Sequence, residues 1–153
     1  LTEHDVLEGR EFPDNIALGS FPVDIHNPDG LWVRFVRIKA VAYGIPYRCL
    51  TPQKVEHLLV GGRIISATHE ALASTRVMFT CMAIGHAAGV AAALSVQNKK
   101  TPRAMDVRAI QEELIRQGAI LTVEQAARLN APATIAEERD VQEYLFHTGQ
   151  LTG

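Results

Sequence analysis

Cysteine is scarce in this chain. Cys49 and Cys81 are the only two in 153 residues, too few for a disulfide framework or a four-cysteine zinc site. Charge is thin as well. Charged residues make up 21% and the formal net charge is −2, which removes the electrostatic case for nucleic acid or an anionic membrane surface. No G-x-G-x-x-G fingerprint occurs, and no acidic residue stands after one to hold an adenosine ribose. Nucleophile-elbow and metal signatures are missing too. His69-Glu70 is no zinc motif, because position 73 is Ala. A self-contained hydrolase built on the histidines therefore ranks last among the function classes, and no metal site is expected. The opening LTEHDVLEGREF lacks the layout of a signal peptide. The most apolar stretch, Val77 to Val96, carries His86 and several Gly and Ala, and reads as too weakly apolar to span a bilayer. The expectation is no membrane partner and a cytoplasmic setting.

What is present suits a folded domain. Apolar residues make up 47%, and a chain of this length hides about 68–70% of its unfolded surface. It starts at Leu1 rather than Met and enters directly on an acidic helical pattern, which reads as a segment of a longer chain. Thr2, with Asp5 three residues on, caps a short helix, and Gly9 ends it. A β-rich block follows. Ile16 to Ile25 reads as one extended strand, Asn27-Pro28-Asp29-Gly30 as a turn and Trp32 to Val41 as the returning strand. Gly44 and Pro46 break it, and Ile45 to Arg48 reads as an edge segment. Leu58-Leu59-Val60, before Gly61-Gly62, fits a short buried strand. A long helix is expected over Thr80 to Val96. Three more follow, capped by Asp106, by Thr122 with Gln125, and by Thr134 with Glu137, with stops at Gly118 and Gly149. The fold class is α+β: a β-rich hairpin block, a short buried strand, then a helical C-terminal half. Three units result, 1–57, 58–98 and 99–153.

Leu58 to Leu94 is the informative segment. A strand ending in two glycines lets backbone approach a ligand closely. The N-terminus of the following helix offers unpaired N–H groups to negative charge. Gly85, Ala88, Gly89 and Ala92 place small atoms along one helix face. By themselves these features fit a tightly packed core helix as well as a cofactor-facing one.

The stretches YGIPYRCLTP, GRIISATHEA and RVMFTCMAIGHAAGVAAA, with Asp24-Ile25-His26 upstream, carry a resemblance. From Thr2 to Leu121 the chain resembles the C-terminal part of bacterial FAD-dependent oxidoreductases of mostly unassigned substrate, within the class that includes fumarate reductase flavoproteins. It departs from them at Phe79 (usually Pro), His86 (usually Gln) and Ala73 (usually Gly). The resemblance implies a fragment of a two-domain FAD-binding fold, whose missing N-terminal Rossmann domain is a partner. FAD is the cofactor of the full-length protein, and this chain alone is expected to bind it weakly or not at all. Gly62, Arg63, Ser66, Thr80, Cys81 and Met82 would serve the cofactor. Their helix end would favour reduced flavin by about 1–2 kcal/mol, or roughly 20–40 mV.

Four side chains are candidates for contact with a small-molecule substrate or for proton transfer. His26, with Asp24 on the same strand face, is either a substrate-facing donor or part of a turn-stabilising pair. Arg48 holds a carboxylate or the flavin phosphate, or is a surface arginine. His69 and Glu70 line the substrate side of the flavin or only cap a helical turn. Cys81 contributes backbone with an incidental thiol, and Cys49 is a buried thiol. Trp32 and Phe35 read as core or interface. Arg108, Glu112, Glu113 and Arg116 read as a solvated helix face. The rival reading is an interaction module that self-associates through the small-residue helix face, as a homodimer or larger homo-oligomer.

Overall fold

A computed structural model describes residues 1–26, 30 and 33–129. Helix α1 (Glu3–Leu7) comes first. Its cap is reciprocal: the Asp5 amide donates to Thr2 Oγ1 at 3.3 Å, and the Thr2 amide donates to Asp5 Oδ2 at 3.0 Å. Burial alone would raise the Asp5 carboxyl. Hydrogen bonds from the Thr2 side chain and backbone and from Arg10 outweigh it and hold Asp5 below its usual value.

Four short strands follow, β1 (Asn15–Gly19), β2 (Val23–His26), β3 (Val33–Val36) and β4 (Tyr43–Pro46). They form two separate antiparallel ribbons, β1 with β4 and β2 with β3. The single strand expected over Ile16 to Ile25 is therefore two. The chain breaks at Ser20-Phe21-Pro22, where Pro22 has no N–H for a ladder. The second ribbon turns back as expected, with His26 opposite Val33, though Asn27 to Asp29 and Trp32 lie outside the described residues. The returning strand stops at Val36, well short of Val41. Phe35 is exposed, so it is no core residue.

The ribbon of β1 and β4 is the centre. All four residues of β4 are buried, as are Asn15, Ile16, Ala17 and Gly19 of β1. Strands covered on both faces show no alternation, which is why this ribbon reads indistinctly in sequence. Tyr43 is fully buried and shares a 2.6 Å hydrogen bond with Ser74 Oγ, whose hydroxyl reaches the Phe21 carbonyl. Opposite the ring stands Gly19, where any Cβ would overlap the Tyr43 phenol.

The helices α2 (His69–Thr75), α3 (Met78–Gln97), α4 (Val107–Arg116) and α5 (Val123–Leu129) complete the described chain. Asp106 caps α4, and Gly118 follows it with φ of 87°. Thr122 and Gln125 form the expected box, with the Gln125 amide on Thr122 Oγ1 at 3.1 Å and the Thr122 amide on Gln125 Oε1 at 3.2 Å. The Thr134–Glu137 helix lies outside the described residues. Arg116 hydrogen-bonds Glu113 and, with Gln117, pulls its carboxyl down to about 2, in keeping with a solvated face. Asn15 Nδ2 donates to the Leu121 carbonyl at 3.3 Å, and Gln111 Nε2 donates to the Asn15 carbonyl at 2.9 Å. These bonds tie the helical half to the edge of β1.

Two further expectations need correction. Leu58-Leu59-Val60 is not a strand. Its one ladder-like bond is Val60 N–H to the Leu50 carbonyl at 2.9 Å. His57 before it takes a left-handed φ of 57°, and Leu58 is exposed. The segment lies beside neither ribbon, so it has no partner to pair with among the described residues. The long helix begins at Met78 rather than Thr80. It is also long and apolar enough, by length and composition, to cross a membrane. Ile84, Ala87, Val90 and Ala91 are buried within the domain core, while only 33% of the apolar stretch is buried.

Burial pushes the Tyr43 phenol up to about 12, against the opposing Ser74 hydrogen bond. Tyr47, which donates to the Pro102 carbonyl at 2.7 Å, is likewise raised by burial to about 12. A phenol raised in the folded state stabilises fully below its unfolded value and loses that contribution as pH climbs through the folded one. Denaturant midpoints should therefore hold up to about pH 10 and fall between about 10 and 12. The Tyr43→Phe variant should show a shallower fall; an identical fall would contradict the assignment.

Candidate functional site

The joint between α2 and α3 gathers most of the chemistry. Gly62 adopts φ of 64°, a backbone state that L side chains rarely enter. A Cβ placed on it would sit 3.9 Å from the Cys81 Cβ, so Gly62 lies against the start of α3. Gly61 beside it packs on the small face of α3, 3.6 Å from the Ala88 Cβ and 3.9 Å from the Gly85 Cα by the same measure. Gly85 and Ala88 thus serve a close backbone approach, which is what small residues on a helix permit. Gly89 and Ala92 are exposed.

Arg63 Nε donates to the Arg76 carbonyl at 3.1 Å. Arg76 reaches the other way, donating from Nη2 to the Asp24 carbonyl at 2.9 Å, with its guanidinium 3.8 Å from Asp24 Oδ2. His26 Nε2 stands 3.5 Å from that same Oδ2. These groups meet at a small cleft of about 130 Å³, lined by Asp24, Ile25, His26, His69, Leu72, Ala73 and Arg76. Two of the four candidate substrate residues, His26 and His69, are therefore brought together. In sequence Arg76 reads as a connection residue that hydrogen-bonds the cofactor or a helix end, and it is not among the four substrate candidates.

The other two candidates go elsewhere. Arg48 pairs with Asp14 and stacks over the Phe12 ring, 4.8 Å from its centroid. It lines a separate cleft of about 390 Å³ with Cys49, Thr51, Gln53, Ser66 and Arg103. Ser66 belongs to that second cleft, its amide donating to the Cys49 carbonyl at 2.9 Å, and stands apart from Gly62 and Arg63. Glu70 sits in the first turn of α2. Its carboxyl is held down chiefly by its own backbone amide and further by Thr68, an arrangement of the helix-capping kind.

The start of α3 also shifts the expected donors. The Cys81 amide already donates to the Val77 carbonyl at 3.0 Å. Val77 supplies no side-chain cap. The amides without intrahelical acceptors are then those of Met78, Phe79 and Thr80, before Cys81 and Met82. The side chains of Met78, Phe79 and Met82 are exposed around them. The Cys81 thiol is turned to the Thr75 carbonyl at 3.5 Å. This end combines open N–H groups, a glycine backbone and apolar side chains. That donor set suits the polar edge of a flat heteroaromatic ring.

A family model for FAD dependent oxidoreductases matches residues 1–114. The chain belongs to that family. No curated protein and no solved structure matches it. Cofactor class thus follows from the family: FAD serves the FAD dependent oxidoreductases. Gly85 and Gly89 lie mid-helix with their amides already bonded.

One buried polar atom at this joint is unsatisfied. Thr75 Oγ1, in the last turn of α2, has no hydrogen-bond partner among the described residues. An unmet buried hydroxyl costs about 1–3 kcal/mol. Thr75→Val removes that cost at nearly constant shape, so the melting temperature should stay level or rise by a few degrees. A loss of more than about 1 kcal/mol in chemical denaturation would show that the hydroxyl is partnered after all.

Proposed function

We propose that this chain is the later, substrate-facing segment of an FAD-dependent oxidoreductase in which a small substrate is oxidised or reduced at the flavin. The observation that carries this reading is the arrangement at the α2–α3 joint. A helix start with open amides is linked through Arg63 and Arg76 to a cleft holding both His26 and His69. FAD, when bound, supplies the redox chemistry. The chain's own groups do the rest. Met78, Phe79 and Thr80 offer backbone donors, and Gly62 leaves room for close approach. His26 and His69 bind substrate or move a proton, with Asp24 orienting His26. Arg76 holds Asp24 in place and offers its guanidinium to an anionic group. Arg48, tied to Asp14, is structural in this reading, and Glu70 serves as a cap.

The adenine and pyrophosphate contacts belong to an upstream Rossmann segment, since no dinucleotide fingerprint lies in this sequence. In this reading the parent falls among the fumarate-reductase-like flavoproteins of bacteria. A cytoplasmic setting agrees with two free cysteines, Cys49 and Cys81. The purified chain should lose added FAD on desalting, with no residual absorbance near 450 nm. In a protein that joins it to its Rossmann segment, deleting Met78 to Met82 should abolish flavin retention. Unchanged flavin content would sink the assignment.

A second reading rests on the uncovered side of α3, where Phe79 is 77% and Val96 80% exposed alongside Met78 and Met82. Apolar residues on that side favour self-association. The chain should behave as a homodimer or larger assembly in light scattering, and Phe79→Asp with Met82→Asp should shift it toward monomer. Strict monomer behaviour of the unaltered chain across concentrations would refute this.

A further inference from the structure

The far end of α3 carries a groove that the flavin reading does not use. With 20 residues, α3 spans about 30 Å, so this groove is remote from the open amides at Met78 to Thr80. Its volume is about 610 Å³. Leu59, Ala92, Val96 and Pro102 give it an apolar floor, and His57, Lys99, Lys100 and Thr101 rim it. No carboxylate among the described residues lines it.

Lysines that follow a helix are ordinarily explained by the carbonyls they neutralise. That explanation is already satisfied here by other groups. Leu94 accepts from the Asn98 amide at 2.9 Å and from Asn98 Nδ2 at 2.8 Å. Val96 accepts from the Lys99 amide at 3.2 Å, and Ser95 from the Lys100 amide at 3.0 Å. The backbone amides do the capping, and neither ammonium has an acid partner among the described residues. Lys99 takes a left-handed φ of 53° to complete that cap. His57 is left-handed as well, and it is the other non-glycine residue of that kind among the described residues. Its loop is pinned from behind. Arg103 donates to the Pro52 and Val55 carbonyls and stands 3.6 Å from Glu56. That contact engages the carboxylate of Glu56, the residue before His57.

We propose that this groove binds an amphipathic anion, an apolar body carrying one carboxylate or phosphate. The apolar floor takes the body, and Lys99, Lys100, His57 and the Thr101 hydroxyl take the head. The apolar floor beside a basic rim argues for this occupant. A bare anion would leave the floor empty, and a neutral apolar molecule would gain nothing from the basic rim.

The test is titration of the chain with octanoate and with octyl phosphate below their micelle concentrations, followed by calorimetry and by amide NMR. Octanol and inorganic phosphate serve as the two halves. Either amphiphile should bind more tightly than both halves, moving the amides of Leu59, Lys99, Lys100 and Thr101. A preference between the two heads identifies which anion the site takes. Lys99→Gln with Lys100→Gln should weaken amphiphile binding at least tenfold and leave the octanol response and the melting temperature unchanged. Three results would overturn the proposal: inorganic phosphate binding as well as octyl phosphate, shifts confined to Met78, Phe79 and Met82, or full binding retained in the double variant.

Discussion

Helix α3 is apolar over most of its circumference, with His86 an exposed exception, and the described domain covers only one side of it. Everything else in the structure is arranged about that fact. Ile84, Ala87, Val90 and Ala91 are buried within the core that includes β1 and α4. Burying four such side chains is worth several kcal/mol at about 1.5–3 kcal/mol for each large one, enough to order a ribbon of two short strands that is marginal by itself. The opposite side keeps Met78, Phe79, Met82 and Val96 in solvent. A helix apolar all round is normally buried all round. Here the described domain leaves that side of the helix open.

The core also fixes where the site falls. Tyr43 and Ser74 join β4 to α2, and Ser74 passes the connection on to the Phe21 carbonyl between β1 and β2. The start of the second ribbon is thereby set against α2. His26 at the end of β2 and His69 at the start of α2 come to share a cleft for this reason, although they are far apart in sequence. Neither residue bears the packing, so the frame can hold its geometry while the two imidazoles remain accessible.

Local signals in the sequence translated well where the physics is local. The capping boxes at Thr2–Asp5 and Thr122–Gln125 and the Asp106 cap all formed, because each depends on residues within one turn. The helical half and the α+β class followed from them. Tertiary pairing was less legible. Ile16 to Ile25 looks like one strand until Pro22 is asked to join a ladder, and Leu58 to Val60 looks like a buried strand until it is found with no partner. Of the site, the glycine backbone at Gly62 and the helix start were readable within two residues. The two-residue error at α3 matters chemically, since it moves the open amides from Cys81 and Met82 to Met78 and Phe79. Arg48 could not be separated from the substrate candidates in sequence because its partner, Asp14, is distant and gives no pattern.

Arg76 shows why residue type alone undervalues a connector. Its guanidinium serves Asp24 through both the backbone carbonyl and the carboxylate, while its own carbonyl receives Arg63. One residue thus lines the cleft of His26 and His69 and holds the side chain of Arg63, the neighbour of Gly62. With its side chain 43% exposed, the Arg76 charge is screened by water, but the planar fork still limits how Asp24 can sit. A lysine in its place would keep the charge and lose that second constraint. The geometry of the cleft therefore depends on a planar group at this position. This sets Arg76 apart from Arg48, which is braced against Phe12 and Asp14 and holds the surface of the frame instead.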